Sequence, residues 1–304
     1  MRHTLLLLAL ALGVAQTAVA EPIVALTATN QLITFNCTSP GTLGSTVGLT
    51  GLIAGDSLVG IDVRPANNTL YGFAVSAPGA GPQLGRVYSI NIGTGLATLA
   101  ATLAADPADA TPPTPYMSMS GTYFGVDFNP VADRLRVISD TGQSLRINVA
   151  TGLTQLDGAI AYAAGDANAG TPAQIYASAY TNNVAGAATT TLYNLDGALS
   201  TLVTQVPPND GTLNTVALTS LAVSPDSAFD ISGQTGTAFV VLDGATLGSI
   251  NLANGDITDL GTIGTIGAIA DIAVLAVPEP TALAIAALGL CGMLTQRSRR
   301  SVSR

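Results

Sequence analysis

The chain has 304 residues, of which 48% are hydrophobic and only 10% charged, a composition that suits a folded domain or a membrane protein and excludes a highly charged disordered chain. The ten basic residues are all arginine and stand against 19 acidic residues, which gives a net charge of −9. Because nucleic-acid binders draw most of their affinity from Lys and Arg at phosphates, this charge argues against DNA or RNA as a partner.

Residues 1–20 have the layout of a secretory signal peptide. Arg2 precedes the apolar run 5–12, and Ala18-Val19-Ala20 places small residues just before Glu21. A charged start, a short apolar stretch and small residues at the end are what signal peptidase recognises. We therefore expect cleavage after Ala20 and export of the mature chain.

Residues 21–277 are predicted to form one all-β domain with an internal repeat. Short runs of Val, Ile, Leu, Thr, Tyr and Phe alternate with turn residues, and no helical periodicity of useful length occurs. The pair of runs 58–65 and 69–73 resembles the pair 123–130 and 134–138, and more loosely 218–225 and 237–241. Four strands that recur about every 40 to 50 residues are typical of a β-propeller blade.

The repeat predicts four blades, at 58–103, 123–160, 174–207 and 218–264. A fifth would join the strand 268–274 to the segment 23–53, so that both ends of the domain close the ring and leave no exposed edge. The second hairpin of each blade carries a turn glycine, for which we expect a positive φ: Gly95, Gly152, Gly197 and Gly255. The prediction is a five-bladed propeller-like domain; a six-bladed ring and a two-sheet sandwich are the alternatives.

Residues 278–304 resemble the PEP-CTERM sorting signal of Gram-negative bacteria, which exosortase-type membrane enzymes recognise and process. Pro278-Glu279-Pro280 is followed by the apolar stretch 281–294 and then by Arg297, Arg299 and Arg300. A helix of 14 residues is about 21 Å long against a hydrocarbon core of about 30 Å, which makes it a marginal span. The resemblance implies delivery to the cell envelope or outside, with a transient or permanent C-terminal membrane anchor.

The domain itself resembles a family of secreted, propeller-like bacterial proteins known only as domain of unknown function 4394. The resemblance spans nearly all of 23–275 and rests on the segments 60–65, 125–130 with 133–136, 179–182 and 208–211. Ser144 departs from the pattern, where Asn is expected. The family implies the fold and export, and brings no established activity, cofactor or catalytic residue.

The mature domain lacks the residues that most catalytic sites need. Residues 21–277 contain neither His nor Lys, which excludes His-dependent triads, Schiff-base chemistry and His-ligated metals. Cys37 lies in the domain and Cys291 in the tail, so no disulfide forms within the domain. The remaining candidates are Asp and Arg residues inside apolar strands.

Strand alternation places Asp62 and Arg64 on one face, and Asp127 and Asn129 on the corresponding face of the next blade. First strands of blades line the central channel of a propeller, so these side chains are expected to converge there. The candidate polar channel residues are Asp62, Arg64, Asp127, Asn129, Arg134, Arg136, Arg146 and Asp271.

Three hypotheses fit this set. In the first, the residues form a polar core in which arginine forks tie carboxylates of adjacent blades. In the second, they bind Ca²⁺ through oxygen ligands or hold a small ligand. In the third, Asp62 and Asp127 act as acid and base in glycan cleavage, against which stand the lack of Trp and the expectation that arginines hold their pKa low.

The sequence favours the first hypothesis, a secreted or surface-associated structural or interaction protein that needs no cofactor, and leaves the Ca²⁺- or ligand-binding and the enzymatic alternatives open. The expected partners are signal peptidase, an exosortase-type enzyme, and extracellular polysaccharide or envelope proteins.

Overall fold

A computed structural model describes residues 19–77, 81–109, 115–264 and 267–276 of the protein. Nearly all of the predicted signal peptide and the whole sorting signal, including Pro278, Glu279, Pro280, Arg297, Arg299 and Arg300, lie outside the described residues. Within the described ranges, no helix has the length and hydropathy needed to span a bilayer.

The described residues form β-strands joined by turns, with one 3-10 helix at Pro208–Asp210. The strands in chain order are β1 (Pro22–Thr27), β2 (Gln31–Asn36), β3 (Ser39–Gly48), β4 (Asp56–Arg64), β5 (Thr69–Ser76), β6 (Gly85–Ile90), β7 (Ala97–Thr102), β8 (Ala104–Ala105), β9 (Phe124–Asn129), β10 (Arg134–Ser139), β11 (Ser144–Ile147), β12 (Leu153–Leu156), β13 (Ala161–Tyr162), β14 (Ile175–Tyr180), β15 (Leu192–Asp196), β16 (Thr201–Gln205), β17 (Thr212–Leu218), β18 (Ala228–Ile231), β19 (Ala238–Leu242), β20 (Thr246–Ile250), β21 (Ile257–Thr262) and β22 (Ile269–Val274).

These strands make five sheets, which are the blades of a propeller. Blade 1 has the order β22-β1-β2-β3, blade 2 β4-β5-β6-β7, and blade 5 β18-β19-β20-β21. Blade 3 (β9-β10-β11-β12) and blade 4 (β14-β15-β16-β17) each gain a short outermost strand, β8 and β13, which pairs parallel to its neighbour. The innermost strands β22, β4, β9, β14 and β18 contact one another in that order and close a ring.

The ring is closed within blade 1 by strands from opposite ends of the domain. β22 pairs antiparallel with β1 in a register that sets Ile23 opposite Val274 and Ala25 opposite Ile272. This pairing covers the edge that β1 would otherwise expose, and an unpaired edge invites aggregation. The predicted all-β, five-bladed, propeller-like architecture, closed by its terminal strands, is confirmed.

The hydrophobic core is divided among the junctions between blades. One cluster joins Phe73 of blade 2 to Phe128 of blade 3, and another joins Ile23 of blade 1 to Val241 of blade 5. Strand alternation sends one set of apolar side chains to each neighbouring blade. Gly125 permits close approach at the centre, because a Cβ there would overlap Ser178 Oγ and lie 2.7 Å from the backbone N of Ser178.

Two local predictions were wrong. The run 218–225 is not the first strand of a blade: β17 ends blade 4 at Leu218, and blade 5 begins with β18. Gly95, Gly152 and Gly255 have φ values of 71–76°, as expected, but the left-handed residue near Gly197 is Ser200, with φ of 49°. Both differences lie where the repeat is weakest.

Candidate functional site

Four of the five innermost strands carry an aspartate that is buried at the propeller axis. They are Asp271 on β22, Asp62 on β4, Asp127 on β9 and Asp230 on β18, with exposed fractions of 6%, 2%, 1% and 1%. Each has a buried apolar residue on both sides in the sequence, or on one side in the case of Asp271. Because side chains alternate along a strand, the flanking apolar residues lie in the hydrophobic clusters between blades, and the carboxylates lie on the face directed toward the axis.

Three of the four carboxylates are each held by two backbone N–H groups, one of them from the innermost strand of the next blade. Asp62 accepts from the N–H of Val63 (2.6 Å) and Phe128 (2.7 Å), Asp230 from Ile231 (2.6 Å) and Val274 (2.6 Å), and Asp271 from Ile272 (2.9 Å) and Ile61 (2.8 Å). The backbone of Tyr180 on β14 stabilises the charged form of Asp127 and so opposes the rise in its pKa. The carboxylates therefore link adjacent blades through the backbone.

Three of these carboxylates form a compact group across the axis. Asp62, Asp127 and Asp230 each place one oxygen within 4.8 Å of an oxygen of the other two. Burial, followed by the charge of Asp230, raises the pKa of Asp62 well above its usual value. Burial likewise raises the pKa of Asp127, with the charge of Asp62 adding to it, and raises the pKa of Asp230 to about 6.

Burial also raises the pKa of Asp271, to which the charge of Asp230 adds. The expectation that arginines hold the pKa of Asp62 and Asp127 low is therefore wrong. Desolvation and mutual repulsion both disfavour the charged form, and no guanidinium is close enough within the described residues to offset them.

The predicted arginines lie elsewhere. Arg64 extends from the end of β4 to the turn after β9, where its Nε and Nη2 bind both carboxylate oxygens of Asp133. Arg134 bonds the carbonyl of Asp133 (3.0 Å) at the surface. Asn129 caps the same turn by accepting the backbone N–H groups of residues 131 and 132 (2.9 Å each). A bidentate arginine–carboxylate pair between adjacent blades therefore exists, but it joins Arg64 to Asp133 in a turn and not to an aspartate at the axis.

Arg136 forms a second polar centre, at the junction between blades 3 and 4. Its exposed fraction is 1%, and it donates to the carboxylate of Asp157, to Ser144 Oγ (3.0 Å), to Asn209 Oδ1 (2.9 Å) and to Tyr180 Oη (3.3 Å). Arg146 Nε donates to both carboxylate oxygens of Asp157 (2.9 and 2.8 Å). The motif segments 133–136, 179–182 and 208–211 therefore meet at one buried guanidinium, beside the departing residue Ser144.

Sequence reasoning missed Asp230, which completes the axial group, and Asp157. For Asp230 a signal was present, because Phe229-Asp230-Ile231 repeats the pattern of an aspartate between apolar residues seen at Ile61-Asp62-Val63. The prediction took the run 218–225 as the first strand of this blade, several residues before β18, and so left Asp230 out. Asp157 lies after β12 and shows no local pattern that marks it as a partner of Arg136.

The chemistry open to the axial group follows from its ligand atoms and burial. It offers only oxygen ligands, which suit hard cations. It is a poor acid–base pair for an external substrate, because all four carboxylates are at least 94% buried and three of them are bound to backbone N–H groups.

The fold and the axis define a five-bladed β-propeller in which buried carboxylates lie at four of the five junctions between innermost strands. The chain belongs to the family described as domain of unknown function DUF4394, whose family model matches residues 31–273. A search of curated proteins finds no match to the sequence.

Among solved structures, the chain is similar to propellers of low sequence identity. One is in a crystal structure of a nidogen/laminin complex (10% identity, TM-score 0.46, covering 84% of this chain and 98% of that chain). Others are a putative 6-phosphogluconolactonase from Bacteroides uniformis ATCC 8492 (13%, 0.40, 81% and 83%) and apo AztD from Citrobacter koseri (9%, 0.40, 84% and 98%). Identities this low transfer no activity to this chain.

Proposed function

We propose that the protein is an exported propeller that serves as a structural or interaction protein of the cell envelope and catalyses no reaction of its own. The observation that carries this proposal is the use made of the axial aspartates. The carboxylate oxygens of Asp62, Asp230 and Asp271 accept hydrogen bonds from backbone N–H groups of neighbouring blades, and all three residues are buried. A catalytic acid or base must instead reach a proton on the substrate.

Export is supported by the sequence at both ends of the chain. The charged, apolar and small-residue parts of 1–20 fit a signal peptide, and the Pro-Glu-Pro, apolar and arginine parts of 278–304 fit a sorting signal. We propose signal peptidase and an exosortase-type enzyme as the processing partners. Extracellular polysaccharide or envelope proteins are the proposed binding partners of the mature domain.

The position of the end of β22 is compatible with a propeller that is attached to the membrane through its C-terminal chain. Leu275 and Ala276 line a pocket of about 200 Å³ together with Pro65, Val184 and Gln234, where several innermost strands end. The chain continues from this point toward the sorting signal. An anchor formed by the following residues would hold the propeller by this face, and leave the opposite face free for a partner.

Cell fractionation with intact-mass analysis tests the export part of the proposal. We expect the protein in envelope or medium fractions with an N-terminus at Glu21. A cytoplasmic protein that keeps its first 20 residues would refute it. A pull-down from the envelope fraction with the mature domain then identifies the partner, with heat-unfolded protein as the control for non-specific capture.

The glycan-hydrolase alternative makes an opposite prediction for Asp62→Asn and Asp127→Asn. If the pair were catalytic, both variants would lose cleavage of a glycan that the wild type cleaves, and both would keep the wild-type melting temperature. We expect no cleavage by the wild type and a lower melting temperature in both variants, because each aspartate interacts with the backbone of the neighbouring blade.

A further inference from the structure

We propose that the propeller axis is a calcium site, in which Asp62, Asp127 and Asp230 bind one Ca²⁺ between β4, β9 and β18. One carboxylate oxygen from each lies within 4.8 Å of the other two. Ca²⁺ binds oxygen at about 2.3–2.6 Å, so two ligands on opposite sides of the ion are about 5 Å apart. The three oxygens therefore span a distance that one Ca²⁺ bridges.

Two unsatisfied oxygens point to a missing ligand at this place. Asp127 is 1% exposed, and its Oδ1 has no hydrogen-bond partner among the described residues. The hydroxyl of Ser178, also 1% exposed, has no partner there either. It lies against Gly125, on the side of β9 that also carries Asp127. Buried polar atoms are nearly always satisfied, so the unpartnered Oδ1 of Asp127 within the carboxylate cluster calls for a ligand that accepts oxygen lone pairs.

The surroundings of the cluster also favour a cation. The ion pairs of the described arginines go to Asp133, Asp56 and Asp157, and none of them reaches an axial aspartate. Without a cation, burial and mutual repulsion disfavour the charged form of these three carboxyls, and a bound divalent ion would offset both effects. Asp271, on the adjoining strand, adds further negative potential to the same centre.

The ligand set favours Ca²⁺ over other ions. It contains only carboxylate and hydroxyl oxygens, whereas zinc and copper prefer nitrogen or sulfur ligands. Mg²⁺ binds at about 2.0–2.1 Å and retains several waters, so it suits a smaller and more open site. The three carboxylates of the proposed site are at least 98% buried.

The test measures metal content and stability on the same purified protein. Elemental analysis of protein prepared without chelator is expected to find about one Ca²⁺ per chain. After treatment with EGTA, excess Ca²⁺ is expected to raise the melting temperature by about 5 °C or more, as for a ligand well above its Kd. Mg²⁺ at the same concentration should raise it less.

Asp127→Asn and Asp230→Asn are expected to abolish both the bound calcium and the response to it. Asp243→Asn is the matched control: this aspartate is exposed and has φ of 50°, a conformation that Asn adopts equally well, so it should retain the metal. The wild-type measurement stands even if an axial variant fails to fold. Metal-free wild type that gains no stability from Ca²⁺, stoichiometric binding of another ion, or equal calcium in Asp127→Asn would each overturn the proposal.

Discussion

The buried ion pair at the junction between blades 3 and 4 provides the sharpest test of how this propeller is held together. Asp157 is 3% exposed and lies between Arg136 and Arg146, with Arg136 itself 1% exposed. Asp157→Asn keeps the size of the side chain but removes its charge. The variant then leaves the buried guanidinium of Arg136 with neutral partners only: Ser144, Asn209 and Tyr180.

The magnitude follows from the burial of the pair. Breaking a buried ion pair by removing one partner costs about 3–5 kcal/mol, because the remaining charge stays buried and uncompensated. For a domain of about 250 residues, each kcal/mol shifts the melting temperature by about 2–4 °C. We therefore expect Asp157→Asn to lower the melting temperature by about 6–20 °C.

Asp133→Asn is the matched control for this prediction. It makes the same substitution in an arginine–aspartate pair between adjacent blades, but the side chains of Arg64 and Asp133 are 21% and 38% exposed. Solvent screening limits such a pair to about 0–1 kcal/mol. Thermal unfolding followed by circular dichroism compares the two variants under one condition. Equal decreases in melting temperature would show that burial does not determine how much the ion pair of Arg136 and Asp157 stabilises the domain.

Three further predictions concern the ring, its closure and a surface titration. Gly125→Ala should destabilise the domain by about 1–3 kcal/mol in urea unfolding because a Cβ overlaps the adjacent innermost strand, whereas Gly165→Ala, which points into open space, should be nearly neutral. Removing β22 together with the rest of the C-terminal chain should abolish cooperative melting and promote association through β1, whereas removing only residues 277–304 should do neither. Because hydrogen bonding to Arg64 lowers the pKa of Asp133, Arg64→Gln should raise that pKa in an NMR titration. In the wild type, the ionised Asp133 stabilises the fold fully above about pH 4, and this stabilisation is lost as the pH falls through the folded-state pKa. In Arg64→Gln this pH-dependent contribution to stability should be absent.

The ring can be predicted from the sequence because the repeat and the alternation of apolar and polar residues are both visible within short segments of the chain. Apolar alternation around Asp62 and Asp127 identifies two innermost strands, and the lone apolar segment near Asp271 identifies the closing strand. The pairing of β22 with β1 follows, since a propeller leaves no edge strand open. Three of the four axial aspartates could therefore be assigned to the axis from periodicity alone.

The partners of the arginines could not be predicted in the same way. Alternation correctly places Arg64 on the face of Asp62, but the side chain is long enough to leave that centre and bind a turn of the next blade. Arg136 lies opposite Asp127 in the β9–β10 register, yet its guanidinium turns to Asp157 and to blade 4. These contacts depend on how blades pack against each other, which periodicity within one blade does not encode.

The junction between blades 4 and 5 shows that the ring does not need an aspartate at every step. There, β14 contacts β18 through Ala177, Ala179, Phe229 and Ile231, which belong to one apolar cluster. An apolar junction of this kind avoids the desolvation cost of a buried carboxylate and is often the more stable solution. Four of the five innermost strands nevertheless bring an aspartate to the axis, and three of these converge within 4.8 Å. The proposed Ca²⁺ would account for that convergence, because it would turn three buried carboxyls that otherwise repel one another into ligands of a common centre.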